Sequence, residues 1–261
     1  MEKISVIIIT KDEEESISDC LKSVDWADEI ILVDSGSRDK TTELAKKFTS
    51  KIFVKKWEGF SAQKNYALSL AENEWVLNID ADERVSDNLK NEILSLDFAS
   101  ADGFYIPREN YFINKKITTC GWNEDDQLRL FKKSKTKLTD RLVHEGFVVS
   151  GKVNYLKSPL IHYTFKNISS ALSKINYYST LRALEIYKEK KEVNVLTIIS
   201  HSFSAFFRYF ISLKGFKDSM YGFIISMFNS FTTLLVYSKI WEFQKNSRTI
   251  ENRGLKTNFP K

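Results

Sequence analysis

Residues Trp75–Glu83 read WVLNIDADE, and the fold follows from how this stretch is understood. Trp75–Ile79 is a short apolar run rich in β-formers, and three acids then arrive within four residues. A buried strand followed by Asp80-Ala81-Asp82-Glu83 places carboxylates at a strand's carboxyl end, where open α/β sheets hold their ligands. Two aspartates one residue apart can offer hard oxygen ligands to a divalent cation, which keeps its other positions for water and substrate phosphates. The competing reading is a solvated acidic turn that caps a helix beginning near Ser86. Asp-x-Asp is too common to decide between them, so the surrounding chain must.

Upstream, Ile4–Ile9 reads as a fully buried strand and ends at Thr10-Lys11-Asp12. Glu13–Ser23 has acids in its first turn and Ile17 and Leu21 on one face, as a helix start should. Glu29–Val33 is a second buried strand, stopped by Asp34-Ser35-Gly36-Ser37. Asp39 suits the N-cap of a helix carrying Leu44, Ala45 and Phe48. Lys51–Lys55 is a short third strand, and Ser61 opens a helix that leads back to Trp75. Strand and helix thus alternate four times before residue 80, which predicts a mostly parallel, doubly wound α/β sheet with right-handed crossovers. Beyond Ser86 one more helix (Asp87–Leu96) and a strand (Gly103–Pro107) are expected. Residues 108–165 alternate irregularly and read as strands and loops covering one side of the sheet, and from Ser169 the pattern is helical. The expected division is 1–165 for the α/β domain that carries the acid-ended strands and 166–261 for a helical, basic, amphipathic region.

At 261 residues with 43% hydrophobic and 28% charged content, the chain is long enough for one large core or a core with an appendage. Residues 1–165 carry 24 Lys+Arg against 28 Asp+Glu, and residues 166–261 carry 15 against 6. The net +9 of the second segment predicts an anionic surface as its partner. Two cysteines, Cys20 and Cys120, make neither a disulfide framework nor a metal pair and fit a reducing, cytoplasmic setting. No signal peptide is expected, because the apolar run Val6–Ile9 is short and leads into KDEEE.

Three strand ends converge on one edge of such a sheet: Thr10–Glu14, Asp34–Ser37 and Asp80–Glu83. No Gly-rich phosphate loop of the dinucleotide or P-loop type is present. Acid-lined loops instead suit a base and ribose held by hydrogen bonds, with diphosphate charge offset by a metal. Lys64, in the first turn of the Ser61 helix, could meet phosphate together with free backbone N–H groups.

In order along the chain stand VIIITKDEEESI, EIILVDSGSRDKT, GFSAQKNYAL, WVLNIDADE, GWNEDDQLRLF and RLVHEG. Over residues 4–165 these motifs resemble a family 2 glycosyltransferase of GT-A fold, in the branch of small lipopolysaccharide-core glycosyltransferases. The resemblance implies a nucleotide-sugar donor, a UDP-sugar in the first instance, and inversion at the anomeric carbon. It implies that Thr10, Asp12 and Asp34 contact the nucleoside, with Glu14 and Ser35 in the same loops, and that Lys64 helps with the diphosphate. Asp80 would lie near the ribose and Asp82 would be the main ligand of Mg2+ or Mn2+. The family's Asn-Glu after the first-loop Thr is here Asp12-Glu13, which adds charge beside the nucleotide.

An inverting transfer needs a base for the acceptor hydroxyl's proton. Glu124-Asp125-Asp126 supplies candidates, and the family's spacing falls on Asp125, with Glu124 or Asp126 as alternatives. Arg129 would orient this carboxylate, hold phosphate or pair with spare charge. His144 of the Val-His-Glu segment is a candidate near the metal or diphosphate, while His162 reads equally as a structural hydrogen bonder.

The uncharged runs Val193–Phe207 and Ser219–Ser238, interrupted by polar residues and flanked by lysines, suit helices lying in a membrane interface. Packing on the catalytic domain or on a second subunit is the alternative. The expected enzyme is a metal-dependent hexosyl- or heptosyltransferase on the cytoplasmic face of the inner membrane. It would act on a glycolipid or oligosaccharide acceptor, with no nucleic-acid partner and with homo-oligomerisation open through the C-terminal helices. A sugar nucleotidyltransferase and a non-catalytic glycan-binding protein remain the alternatives.

Overall fold

The computed structural model describes residues 2–123, 125–138, 146–189 and 192–245. Its first elements are β1 (Ile4–Thr10), α1 (Ile17–Lys22), β2 (Glu29–Asp34), α2 (Thr41–Ala45), β3 (Ile52–Val54), α3 (Phe60–Leu70) and β4 (Trp75–Asp80). Every crossover pairing among β1–β4 is parallel, in the order β3-β2-β1-β4. β1 and β2 are buried at every position, so their Val/Ile runs carry no polar face. Alternate residues feed two layers. Val6, Ile8, Leu32 and Leu77 pack with Ile17 and Leu21 of α1, while Ile7, Ile9, Val33 and Val76 pack with Ala67 and Leu68 of α3.

The helix starts differ from the sequence reading by a few residues. Residues 13–16 form turns, and α1 begins only at Ile17. α2 begins at Thr41, and Asp39 Oδ1 accepts that residue's amide at 3.0 Å and its hydroxyl at 2.5 Å. α3 begins after Gly59, whose φ of 109° favours glycine.

β4 turns at Ala81-Asp82 into β5 (Glu83–Val85), and α4 (Asp87–Leu94) follows, with Ser86 Oγ accepting the Leu89 amide at 3.2 Å. The helix near Ser86 therefore caps itself, and the acids before it are not its cap. β6 (Gly103–Phe112), β7 (Lys115–Lys116) and β8 (Asp126–Lys132) come next, then β9 (Thr136–Leu138), β10 (Phe147–Val149), β11 (Val153–Tyr155) and β12 (Leu160–Phe165). Most of the region expected to cover the sheet instead extends it: β8 inserts antiparallel between β4 and β6, and the sheet runs on through β12 to β5. Its parallel half ends at β4 because β8 enters without a helical crossover. Among the described residues β9 and β10 pair antiparallel as a separate two-stranded sheet.

The described residues form two compact units, the sheet unit within residues 2–109 and 125–163 and the second within residues 110–123 and 164–245. In the second unit α5 (Ile168–Tyr187), α6 (Val195–Phe207) and α7 (Ser219–Lys245) form a helical assembly, with α7 packed on both others. Asn167 and Ser170 close a capping box at the start of α5. Gly222 of α7 comes so near Gly215 that an added Cβ would lie 1.8 Å from the Gly215 carbonyl oxygen. A π-helical turn, Arg208–Ser212, prolongs α6 past Arg208, so Val195–Ser212 is long and apolar enough to cross a membrane, as is Gly215–Lys245. The uncharged run Val193–Phe207 by itself is too short for a span. Along α6, Val195, Ile199, Phe203, Phe207 and Ile211 recur every four residues and all stay exposed, Phe203 by 64%.

Candidate active site

Parallel register brings the three expected loops to one edge: Thr10 faces Asp34, and Ile9 faces Asp80. The loops after β1 and β2 are tied to each other. The Ser35 amide donates to the Thr10 carbonyl at 2.9 Å, and the Asp12 amide donates to Ser37 Oγ at 2.8 Å. Asp12 Oδ1 accepts the Arg38 amide at 2.7 Å. Glu14 bridges the same loops, its amide donating to Asp39 Oδ2 and its Oε2 accepting the Lys40 amide.

Asp34 is buried, and its loop surrounds its carboxylate. Oδ2 accepts the amides of Gly36 and Ser37, each at 2.8 Å, and Oδ1 accepts the Ser37 hydroxyl at 2.5 Å. This is aspartate-turn chemistry, with Gly36 at φ 85° completing the turn. Asp34 therefore shapes the loop. Thr10 Oγ1, by contrast, is buried and has no hydrogen-bond partner among the described residues.

A second cluster surrounds Asp80. Lys64 of α3 is nearly buried, and its Nζ lies 3.7 Å from Asp80 Oδ1. Arg129 of β8, 5% exposed, donates from Nη2 to Asp80 Oδ2 at 2.8 Å and to Glu83 Oε1 at 2.5 Å. Glu83 is wholly buried; its Oε2 accepts the Asp80 amide at 2.9 Å, and its Oε1 also accepts from Arg108 Nη1 at 3.2 Å. Arg108 continues to Asp125, with Nε at 2.8 Å and Nη2 at 2.6 Å from Oδ2. Gln127 Nε2 holds Asp125 Oδ1 at 2.7 Å. One unbroken chain of opposite charges, Lys64–Asp80–Arg129–Glu83–Arg108–Asp125, thus joins the candidate donor residues to the candidate base.

Burial opposes ionisation of Asp80, but Lys64 and Arg129 outweigh it and hold the carboxyl well below its usual range, with Asp82 working against them. Burial likewise disfavours a charged Arg129, yet Glu83 and Asp80 raise its pKa and keep it protonated. Cys20 Sγ contacts the Asp80 carbonyl at 3.6 Å, and burial pushes its thiol far up, so it is inert.

Asp82 sits at the turn, its carbonyl accepting the Tyr163 amide at 3.0 Å and its Oδ2 lying 3.7 Å from His162 Nε2. No group of three or more His, Cys, Asp or Glu side chains suited to a metal occurs among the described residues. The metal-ligand candidates read from the sequence are the carboxylates of Asp80 and Asp82, which meet at the β4–β5 turn. That donor set fits a hard cation that keeps several waters and takes substrate phosphate oxygens. His144 and Glu124 lie outside the described residues, and Asp126 is the exposed first residue of β8. The sequence reading missed Glu83, Arg108 and the place of His162 beside Asp82.

The glycosyl transferase family 2 model matches residues 5–160. Across 97% of its length the chain is 31% identical to an uncharacterized glycosyltransferase of Rickettsia felis, of which it covers 95%. It is 29% identical to the lipopolysaccharide core biosynthesis glycosyltransferase LpsC of Rhizobium meliloti, over 92% of each protein. Among solved structures, S. aureus TarS 1-349 in complex with UDP-GlcNAc is similar with a TM-score of 0.48 and 16% identity, over 94% of this chain and 92% of that one. With more than half of its residues matching the family model and relatives aligned nearly end to end, this chain belongs to glycosyl transferase family 2.

Proposed function

We propose that the chain is an inverting, metal-dependent glycosyltransferase that moves a hexose or heptose from a nucleotide sugar to a glycolipid acceptor. The observation carrying this reading is the ion-pair chain that ends in Asp80 on one side and Asp125 on the other. Asp82 and Asp80 would hold Mg2+ or Mn2+, and the cation would offset charge on the departing diphosphate. Lys64 adds a fixed positive charge beside Asp80 for the same diphosphate. Thr10 Oγ1, buried and unpartnered among the described residues, is the first-loop group that would bond the nucleoside. Asp12, Glu14, Asp34 and Ser35 act indirectly, since hydrogen bonds between and within the two loops set the shape of that edge.

Asp125 takes the proton of the acceptor hydroxyl. The freed oxygen pair bonds to the anomeric carbon on the face opposite the diphosphate, and the C1–O bond to phosphate breaks with its electrons leaving on the nucleotide. LpsC's name and extent of similarity favour a lipopolysaccharide-core acceptor as the first trial, and a UDP-sugar is the donor that the sequence resemblance implies. Residues 1–165 would carry donor binding and catalysis. The exposed apolar stripe of α6 and the +9 charge of residues 166–261 favour peripheral attachment to the cytoplasmic face of the inner membrane.

Thermal shift with UDP- and GDP-sugars, with and without Mg2+ or Mn2+, tests the site. Metal-dependent stabilisation that Asp82→Ala abolishes is expected. Stabilisation by none of the nucleotides would sink the reading, and donor hydrolysis separates a transferase from a non-catalytic glycan binder.

A further inference from the structure

Arg108 has no place in any of the motifs above, and it is the residue that fixes Asp125. Its guanidinium spends two nitrogens on one carboxylate oxygen, Nε at 2.8 Å and Nη2 at 2.6 Å, while the third reaches Glu83 at 3.2 Å. Its own amide also donates to the Asp125 carbonyl at 3.0 Å. Gln127 secures the other carboxylate oxygen. Asp125 therefore cannot rotate without breaking at least one short, charge-assisted bond.

The anchor behind Arg108 is equally fixed. Glu83 has no exposed surface, and its carboxylate is shared among Arg108, Arg129 and the Asp80 amide. Arg129 returns to Asp80 Oδ2, so the lattice closes on the residue assigned to the donor side. A buried ion pair is a weak source of stability, because desolvation consumes most of the attraction. A planar three-nitrogen fork does what a lysine cannot, since it joins two carboxylates at set angles.

We propose that Arg108, held by Glu83, is a positioning residue that sets the Asp125 carboxylate relative to the donor-side Asp80. This rests on the reading of Asp125 as the base. Misplacing a reacting group by about 1 Å costs on the order of 100-fold in rate, and that is the effect expected when the fork is removed.

The test uses the full chain with Mn2+ and whichever of UDP-glucose, UDP-galactose or UDP-N-acetylglucosamine the wild type hydrolyses. In that reaction water stands for the acceptor: its proton passes to Asp125, its oxygen bonds to C1, and UDP departs with the electron pair. Arg108→Gln, Glu83→Gln, Asp125→Asn and the double variant Arg108→Gln/Asp125→Asn are compared, each with its melting temperature. Arg108→Gln is expected to lower kcat about 100-fold with donor KM within about threefold, and Glu83→Gln to follow it. The double variant should be no slower than Asp125→Asn alone, because Arg108 acts through that carboxylate.

Multiplicative losses in the double variant overturn the proposal, as does a defect carried entirely by KM and melting temperature. An inactive Asp125→Asn beside an Arg108→Gln of wild-type turnover overturns it while leaving the base reading intact. Full activity in Asp125→Asn, or no hydrolysis of any donor by the wild type, overturns both.

Discussion

Replacing Glu83 by alanine should be among the most damaging single changes in the sheet unit. The side chain has no exposed surface and accepts from the Asp80 amide, Arg108 and Arg129. Its removal orphans a buried N–H, which costs about 1–3 kcal/mol. It also leaves Arg129, 5% exposed, with Asp80 as its remaining carboxylate among the contacts described above. Breaking a buried ion pair from one side costs about 3–5 kcal/mol. Part of that is recovered because Glu83 itself no longer has to be desolvated and Asp80 still faces Arg129, so about 3–5 kcal/mol is expected in total. For a chain of this size that lowers Tm by about 6–20 °C. Glu83→Gln keeps an acceptor for the amide and loses only the charge, so roughly 2–3 kcal/mol is expected there. Urea unfolding followed by tryptophan fluorescence measures both, with an unchanged slope marking a change in stability rather than in compactness. A midpoint shift worth less than about 1 kcal/mol for Glu83→Ala would refute the reasoning. It would mean that water replaces the lost carboxylate at little cost and that the lattice is not sealed.

Two further outcomes follow from other parts of the molecule. At the opposite edge of the sheet, burial disfavours a charged Glu29, yet bonds from Lys51, Ser5 and the Glu72 amide outweigh it and hold its pKa below the ordinary 4.5. The unfolded chain therefore binds the proton first, and Glu29's contribution is fully present above pH 4.5 and disappears as pH falls through the folded value. Wild type and Glu29→Gln should differ in urea midpoint at pH 6 and converge towards pH 3; a constant difference would sink the assignment. For the α6 stripe, vesicles of phosphatidylethanolamine and phosphatidylglycerol should co-sediment the full chain, more weakly as salt rises. Phe203→Glu/Phe207→Glu removes two side chains worth about 1.5–3 kcal/mol each when buried, so partitioning should fall at least 100-fold. Unchanged partitioning, or a dimer that only these substitutions dissociate, would assign the face to something other than lipid.

The parallel half of the sheet is legible because β1 and β2 are buried at every position, and runs such as VIII and EIILV admit few other readings. The edge where Thr10, Asp34 and Asp80 meet followed from parallel connectivity alone. The insertion of β8 between β4 and β6 did not. Its partners lie some fifty residues upstream in one case and twenty in the other, and no local pattern encodes such a pairing. Asp-Ser-Gly-Ser, whose Asp34 the resemblance assigns to the nucleoside, is also the composition of a turn that bonds its own carboxylate, and the loop makes those bonds.

Glu83 was hidden for a different reason. Within Asp80-Ala81-Asp82-Glu83 it looks like one more solvated acid, and only its period-two spacing in β5, with Val85 also buried, marks it as inward-facing. The clue lay elsewhere, in QLRLF, where Arg129 interrupts an otherwise apolar strand. An arginine in a core strand is tolerable only if a carboxylate meets it there. An apolar strand with one arginine, opposite an acid run that ends another buried strand, therefore predicts a buried ion pair before any coordinates are seen. By that argument Glu83 of WVLNIDADE faces the core rather than solvent, and the cation that meets it there, Arg129, is encoded in β8.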